Sequence, residues 1–233
     1  MTYDVISIDG PTGSGKTSIG KLLSEELNCK FISSGFLYRT LANSFIEYQA
    51  TLDSYTSSPY WEHVYNLLSE NTLEVRILEL GKDKALIEFN NLEQQIDKTL
   101  DISTKDNYKA KITEVSSNIS KFTNIRTSVN TYLKDYVSKS ALTVVEGRDI
   151  GSVVFQDAKL KIYIDSPLEL RAKRRLSQSS SQEGIEDIVR RDTSDSTRKN
   201  SPLIIPDGSV IILNENQSIE DIVETILQEY KKL

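Results

Sequence analysis

The sequence predicts an α/β protein built on a central parallel sheet, with a smaller sheet inserted in mid-chain. Three observations predict it. Near the N-terminus a short apolar strand runs into a glycine-rich loop and then into a helical pattern. Apolar runs of strand length then alternate with segments of helical period over most of the chain. Between about Leu73 and Phe89 the period becomes two, the spacing of half-buried antiparallel strands.

Taken in order, Val5, Ile6 and Ile8 form the first strand, and Ile19, Leu22, Leu23 and Leu27 line one face of the helix after the loop. A second strand near Phe31 and Ile32 ends at Ser33, Ser34 and Gly35, and a helix follows from about Leu37. The span from Leu52 to Tyr65, with Pro59, fits no single period. Leu73, Val75 and Ile77 alternate, Gly81 turns the chain, and Ala85 to Phe89 forms a second run, as in a small antiparallel sheet. Helical period returns from Ile119 through Phe122, Ile125, Val129, Tyr132, Leu133 and Tyr136. Leu142 to Val145 reads as a buried strand leading to EGRDIGS, and Lys159 to Ile164 as another, stopped at Ser166 and Pro167. A basic helix and the soft segment SQSSSQEG follow. Val210 to Leu213 is the last strand, and Ser218 with Asp221 forms a capping box for a helix lined by Ile219, Ile222, Val223, Ile226 and Leu227. The expected organisation is a core over 1–67 and 118–233, with a small unit inserted over 68–117 and another late in the chain.

At 233 residues the chain can bury one sizeable core and a small insertion. A net charge of −6 argues against a general nucleic-acid binder, which would carry a basic field. The basic residues Arg171, Lys173, Arg174, Arg175, Arg190, Arg191, Arg198 and Lys199 instead fall in one region, fit for a small polyanion. The single cysteine, Cys29, fits a reducing compartment, and the single histidine, His63, cannot build a metal cluster. No apolar stretch reaches membrane length. A cytoplasmic protein without membrane or nucleic-acid partners is expected, and its size allows it to work as a monomer.

The loop Gly10-Pro11-Thr12-Gly13-Ser14-Gly15-Lys16-Thr17-Ser18 satisfies the P-loop pattern in its required setting, between strand and helix. Its glycines let successive amides turn inward, and the helix adds its N-terminal amides and the positive end of its dipole. Lys16 is placed for the β and γ phosphates of a nucleoside triphosphate, and the Thr17 hydroxyl for Mg²⁺. A P-loop defines the donor side alone. The acceptor side must come from SSGFLYRT (33–40), VVEGRDIGSVVFQDA (144–158) and RRDTSD (190–195), which set arginines and acids where an open parallel sheet holds its ligands.

These stretches, and the chain over nearly its whole length, resemble the bacterial cytidylate kinases, a family of P-loop nucleoside monophosphate kinases. EGRDIGSVVFQDA is the most distinctive match. The resemblance implies a P-loop three-layer fold with a central parallel sheet, a small-sheet NMP-binding domain and a helical lid, and transfer of a phosphoryl group from MgATP to CMP or dCMP. It implies that Ser34 and Arg39 lie near the acceptor phosphate. Ser117, Arg126 and Asp149 would read the cytosine edge, Arg126 also reaching the phosphate. Arg148 would face the transferred phosphoryl group, Arg191 and Asp195 the ribose hydroxyls, and Arg198 the acceptor side. Arg171, Arg174 and Arg175 would form the basic lid closing on ATP. Lys16, Arg148, Arg191 and Arg198 would carry the charge stabilisation. Glu146 would either organise water around Mg²⁺ or pair with an arginine. The chain departs from the family at Ser33, where aspartate is usual, at the bulky Phe36, and at Asn107 and Tyr108 in place of an Ile-Arg pair. Ser194 and Ser196 stand where arginines are common. A kinase for another monophosphate or small acceptor, or a nucleotide-binding protein with a degraded acceptor site, are the alternatives. A guanine-reading Asn-Lys-x-Asp is absent.

Overall fold

The structure, a computed structural model, describes residues 3–52, 67–70, 73–81, 84–91, 96–103, 110–178 and 184–233. His63, Asn107, Tyr108 and most of the span between Leu52 and Tyr65 lie outside the described residues. The chain divides into two compact units, Met1–Gly35 with Lys134–Leu233, and Phe36–Leu133.

The first unit holds a five-stranded parallel sheet. Its strands are β1 (Val5–Asp9), β2 (Lys30–Ser33), β6 (Thr143–Glu146), β7 (Leu160–Asp165) and β8 (Val210–Leu213), in the order β2-β6-β1-β7-β8. β1 is central and buried throughout, with Val5, Ile6 and Ile8 in the core and the polar Ser7 and Asp9 buried beside them. Helix α1 (Lys16–Glu26) packs on β6 and on the C-terminal helix α7 (Ile219–Tyr230). Ile19 and Leu23 of α1 join Ile6, Ile8, Val144, Ile162, Ile164, Ile222, Val223 and Ile226 in one core. The expected capping box holds: the Asp221 amide donates to Ser218 Oγ at 3.1 Å, and the Ser218 amide to Asp221 Oδ2 at 3.2 Å. At the edge strand β8, Ile212 is buried while Ile211 and Leu213 face outward.

Helix α2 (Ser34–Leu52) starts at the end of β2, three residues ahead of the expected position. It and α4 (Thr123–Ser138) each carry the chain across the division between the units. The second unit contains the antiparallel sheet β3 (Leu73–Leu80), β4 (Lys84–Asn91) and β5 (Ile96–Ser103), in that order. Phe89 of β4 stacks on Tyr48 at 4.4 Å and meets Phe45 edge-on at 5.2 Å, joining the sheet to α2. A bulge between Ile77 and Glu79 inserts Leu78, which is exposed. The expected insertion at 68–117 lies inside this unit, which also includes much of α2 and α4. Two elements of this unit were not anticipated: β5, and helix α3 (Ala110–Ile119), which buries Ile112, Val115 and Ile119. Among the described residues no helix is long and apolar enough to cross a membrane.

Candidate active site

β1 delivers the chain to Gly10 at the carboxyl edge of the sheet, between β6 and β7, which both come from the second half of the chain. Gly10 and Gly15 both take positive φ, 149° and 98°. A Cβ on Gly10 would lie 2.0 Å from the Ile164 carbonyl oxygen, and one on Gly15 would lie 2.7 Å from Asn214 Nδ2. Only glycine lets the loop press this closely against β7 and against the end of β8. Asn214 donates to the Ser14 carbonyl at 2.9 Å and so holds the loop from beneath.

α1 begins at Lys16 with no acid in its first turn and no side-chain cap, so its N-terminal amides are kept for an external anion. Lys16 is buried, and its Nζ donates to the Pro11 carbonyl at 2.6 Å and to Ser14 Oγ at 3.3 Å. Burial, and then the charge of Arg148, push its pKa down to about 7. A desolvated ammonium, open helix amides and a glycine curl fit the phosphates of ATP. Thr17 Oγ1 donates to Glu146 Oε1 at 3.0 Å, and Ser33 Oγ donates to the same oxygen. These are all hard oxygen groups, and among the described residues no three His, Cys, Asp or Glu side chains cluster as a metal cage. That set suits Mg²⁺, which keeps waters and phosphate oxygens in its shell.

Arg148, just beyond β6, is seated on the loop. Its Nη1 donates to the Gly10 carbonyl at 3.1 Å, its Nη2 to Thr12 Oγ1 at 2.9 Å, and its Nε to Asp195 Oδ2 at 2.8 Å. Burial works against its charge, and the Asp195 carboxylate more than offsets this, so its pKa lies above the ordinary value. The buried Asp149 faces Arg198 Nη2 at 3.6 Å, and Arg198 Nη1 lies 3.5 Å from Asp195. Arg148, Asp195, Arg198 and Asp149 therefore form one chain of alternating charge.

The turn after Asp149, Ile150–Val154, is a single wide turn in which the Phe155 amide donates to the Ile150 carbonyl at 2.7 Å, five residues back. Its start is held by Asp9, whose carboxylate accepts from the Ile150 amide at 2.8 Å and the Gly151 amide at 2.7 Å. Burial raises the Asp9 pKa to about 6, with these amides opposing the shift.

Helices α5 (Leu168–Gln178) and α6 (Ile185–Thr197) carry the basic region. Arg171 is buried, donating to the carbonyls of Ser166 at 2.8 Å and Thr12 at 3.0 Å, and pairs with Asp192. Arg174 donates to Ser166 Oγ at 3.1 Å and to Asn214 Oδ1 at 2.9 Å. Both thus brace the loop's framework. The side chain of Arg175 lies outside the described residues, and Arg191 is half-buried on α6.

Ser34, buried at the start of α2, packs against Gly147 of the EGRD stretch. Arg39, Ser117 and Arg126 belong to the Phe36–Leu133 unit. There Arg126 is buried, donates from Nη1 to the Ser120 carbonyl at 3.3 Å and lies 5.8 Å from the Tyr38 ring centroid. Ser117 and Arg39 are half-buried. Sequence reasoning missed Asp9, Asp192 and Asn214. Asp192 lies inside the RRDTSD stretch, but Asp9 and Asn214 gave only their positions at strand ends as a signal.

A parallel sheet of this order, a glycine loop feeding a helix, and a buried lysine with arginines around it define a P-loop phosphotransferase. The family model for cytidylate kinase matches residues 6–232, and the chain belongs to that family. The cytidylate kinase of Chlamydia caviae is 32% identical over 229 residues, covering 96% of each chain. The probable cytidylate kinase of Vairimorpha ceranae is 34% identical over 233 residues, covering 97% of this chain and 96% of its own. That of Fusobacterium nucleatum is 29% identical over 248 residues, covering 100% of both.

Proposed function

We propose that the chain transfers the γ-phosphoryl group of ATP to CMP or dCMP, giving ADP and CDP or dCDP. The observation that carries this is Arg148: a guanidinium seated on the donor loop at Gly10 and Thr12, adjacent in sequence to the acid, Asp149, proposed to read cytosine.

The acceptor phosphate is already anionic near neutral pH, so no general base is required. The residues work by positioning and by neutralising charge. The loop from Gly10 to Ser18 binds the donor phosphates, and Lys16 follows the group in transit. Thr17, through its hydroxyl, would hold Mg²⁺, with Glu146 orienting its water ligands, and the ion would supply positive charge to offset that of the phosphates. Ser34, Arg39 and Arg126 bind the acceptor phosphate. Ser117 and Asp149 meet the cytosine edge, where acceptors and an amine donor call for complementary groups. Arg191 and Asp195 serve the ribose, and Arg198 neutralises charge beside them. The segment 171–192, with Arg171, Arg174 and Arg175, acts as a lid over ATP, and 68–117 as the acceptor-binding domain. The enzyme works as a monomer in the cytoplasm.

The test is an acceptor panel with MgATP. ADP release should depend on acceptor and be highest with CMP and dCMP. Release led by AMP or UMP would give the activity to another monophosphate, and tight ATP binding without acceptor-dependent release would mark a degraded acceptor site.

A further inference from the structure

All three polar groups of Thr12 are held by charged side chains from three elements. Its amide donates to Asp192 Oδ1 on α6 at 3.2 Å. Its carbonyl accepts from Arg171 Nη1 on α5 at 3.0 Å. Its hydroxyl accepts from Arg148 Nη2, beyond β6, at 2.9 Å. Asp192 and Arg171 are themselves ion-paired, so one couple holds the Thr12 backbone at both its amide and its carbonyl. The phosphate-binding pattern leaves this position open to any residue, and a hydroxyl is not demanded there by the donor.

We infer that Thr12 is a positioning residue for Arg148, and that Asp192 and Arg171 fix it for that task. The Arg148 guanidinium has a fixed planar fork. Asp195 holds its Nε, and the Gly10 carbonyl holds Nη1. The Thr12 hydroxyl holds Nη2 and so fixes the remaining edge. The placement of α5 is thereby passed to the arginine through a single loop residue, and that of α6 both through this residue and directly through Asp195. This rests on the reading of Arg148 as the group that meets the transferred phosphoryl.

The test compares Thr12→Val, Thr12→Ser, Arg148→Ala and the double variant Thr12→Val/Arg148→Ala, by steady-state kinetics with CMP and by thermal melting. Valine keeps the shape and removes the acceptor. Its kcat should fall roughly ten- to a hundredfold, the scale of a misplaced reacting group, with the KM for ATP within about threefold of the parent. Serine should restore most of the loss. Added to Arg148→Ala, the valine should cost nothing further, since both act through one group. Full additivity, or a loss confined to the KM for ATP, would overturn the inference. Near-normal turnover in a folded Arg148→Ala would instead remove the reading of Arg148 itself, and the inference with it. If Thr12→Val melts early, Asp192→Asn takes its place and must show the same lack of additivity with Arg148→Ala.

Discussion

The Arg148 Nε donates to Oδ2 of Asp195 at 2.8 Å, with both side chains mostly buried. Asp195 thus aims an arginine besides any contact with ribose. Replacing Asp195 with Asn leaves Arg148 with a weaker, neutral partner. We expect kcat/KM to fall on the order of tenfold or more with both CMP and dCMP, and their ratio to change by less than about threefold. A loss confined to CMP would mean that Asp195 reads the 2′-hydroxyl and does little for Arg148.

Lys16, with its pKa held at about 7 against an ordinary 10.5, makes donor binding pH-dependent. Between those values the unfolded chain holds the extra proton, so this group's contribution to stability rises with pH. Polyphosphate favours the ammonium. Near pH 8, ATP binding should therefore take up a proton, seen by calorimetry in buffers of different ionisation enthalpy. Lys16→Met should abolish the uptake and lower turnover by about a hundredfold or more. An unchanged proton count in that variant would contradict the assignment.

Asp9 predicts a titration on the acceptor side. Its pKa is raised from 3.8 to about 6, so its contribution to stability is fully present below the lower value and is lost as pH rises through the higher one. The Ile150 and Gly151 amides bond to this carboxylate, so their NMR shifts should titrate with a midpoint at about 6. Asp9→Asn should remove that midpoint. Shifts that stay flat across the range would show that Asp9 does not titrate there.

The glycine loop gives a stability test with an internal control. An alanine at Gly10 would place Cβ 2.0 Å from a strand carbonyl, with φ at 149°. The cost should reach about 3 kcal/mol or more. Gly208 also has positive φ, 73°, but open space around it, and Gly208→Ala should cost only about 1–2 kcal/mol. Equal melting shifts would show that the close approach at Gly10 is not maintained in solution.

Much of this was legible where the information is local. The octad from Gly10 to Thr17 states its own geometry, because glycine spacing, strand and helix adjoin in sequence. β1, β7 and β8 stood out as apolar runs, and Ser218 with Asp221 announced α7. β5 did not, because in IDKTLDIS the three polar residues Asp97, Lys98 and Thr99 interrupt the alternation that marks a strand. The clamp of Asp9 on Ile150 and Gly151, and that of Asp192 on Thr12, join residues separated by 141, 142 and 180 positions. No local pattern specifies such pairs; the sheet order creates them. The same holds for Arg171 and Arg174, whose basic helix is visible in the sequence but whose hold on Ser166 and Asn214 is not.

The most direct test follows the label from γ-labelled ATP in the presence of magnesium and CMP. Label should appear in CDP in step with ADP formation, and Arg148→Ala and Lys16→Met should suppress both. Label appearing only as inorganic phosphate, at a rate indifferent to CMP, would contradict it.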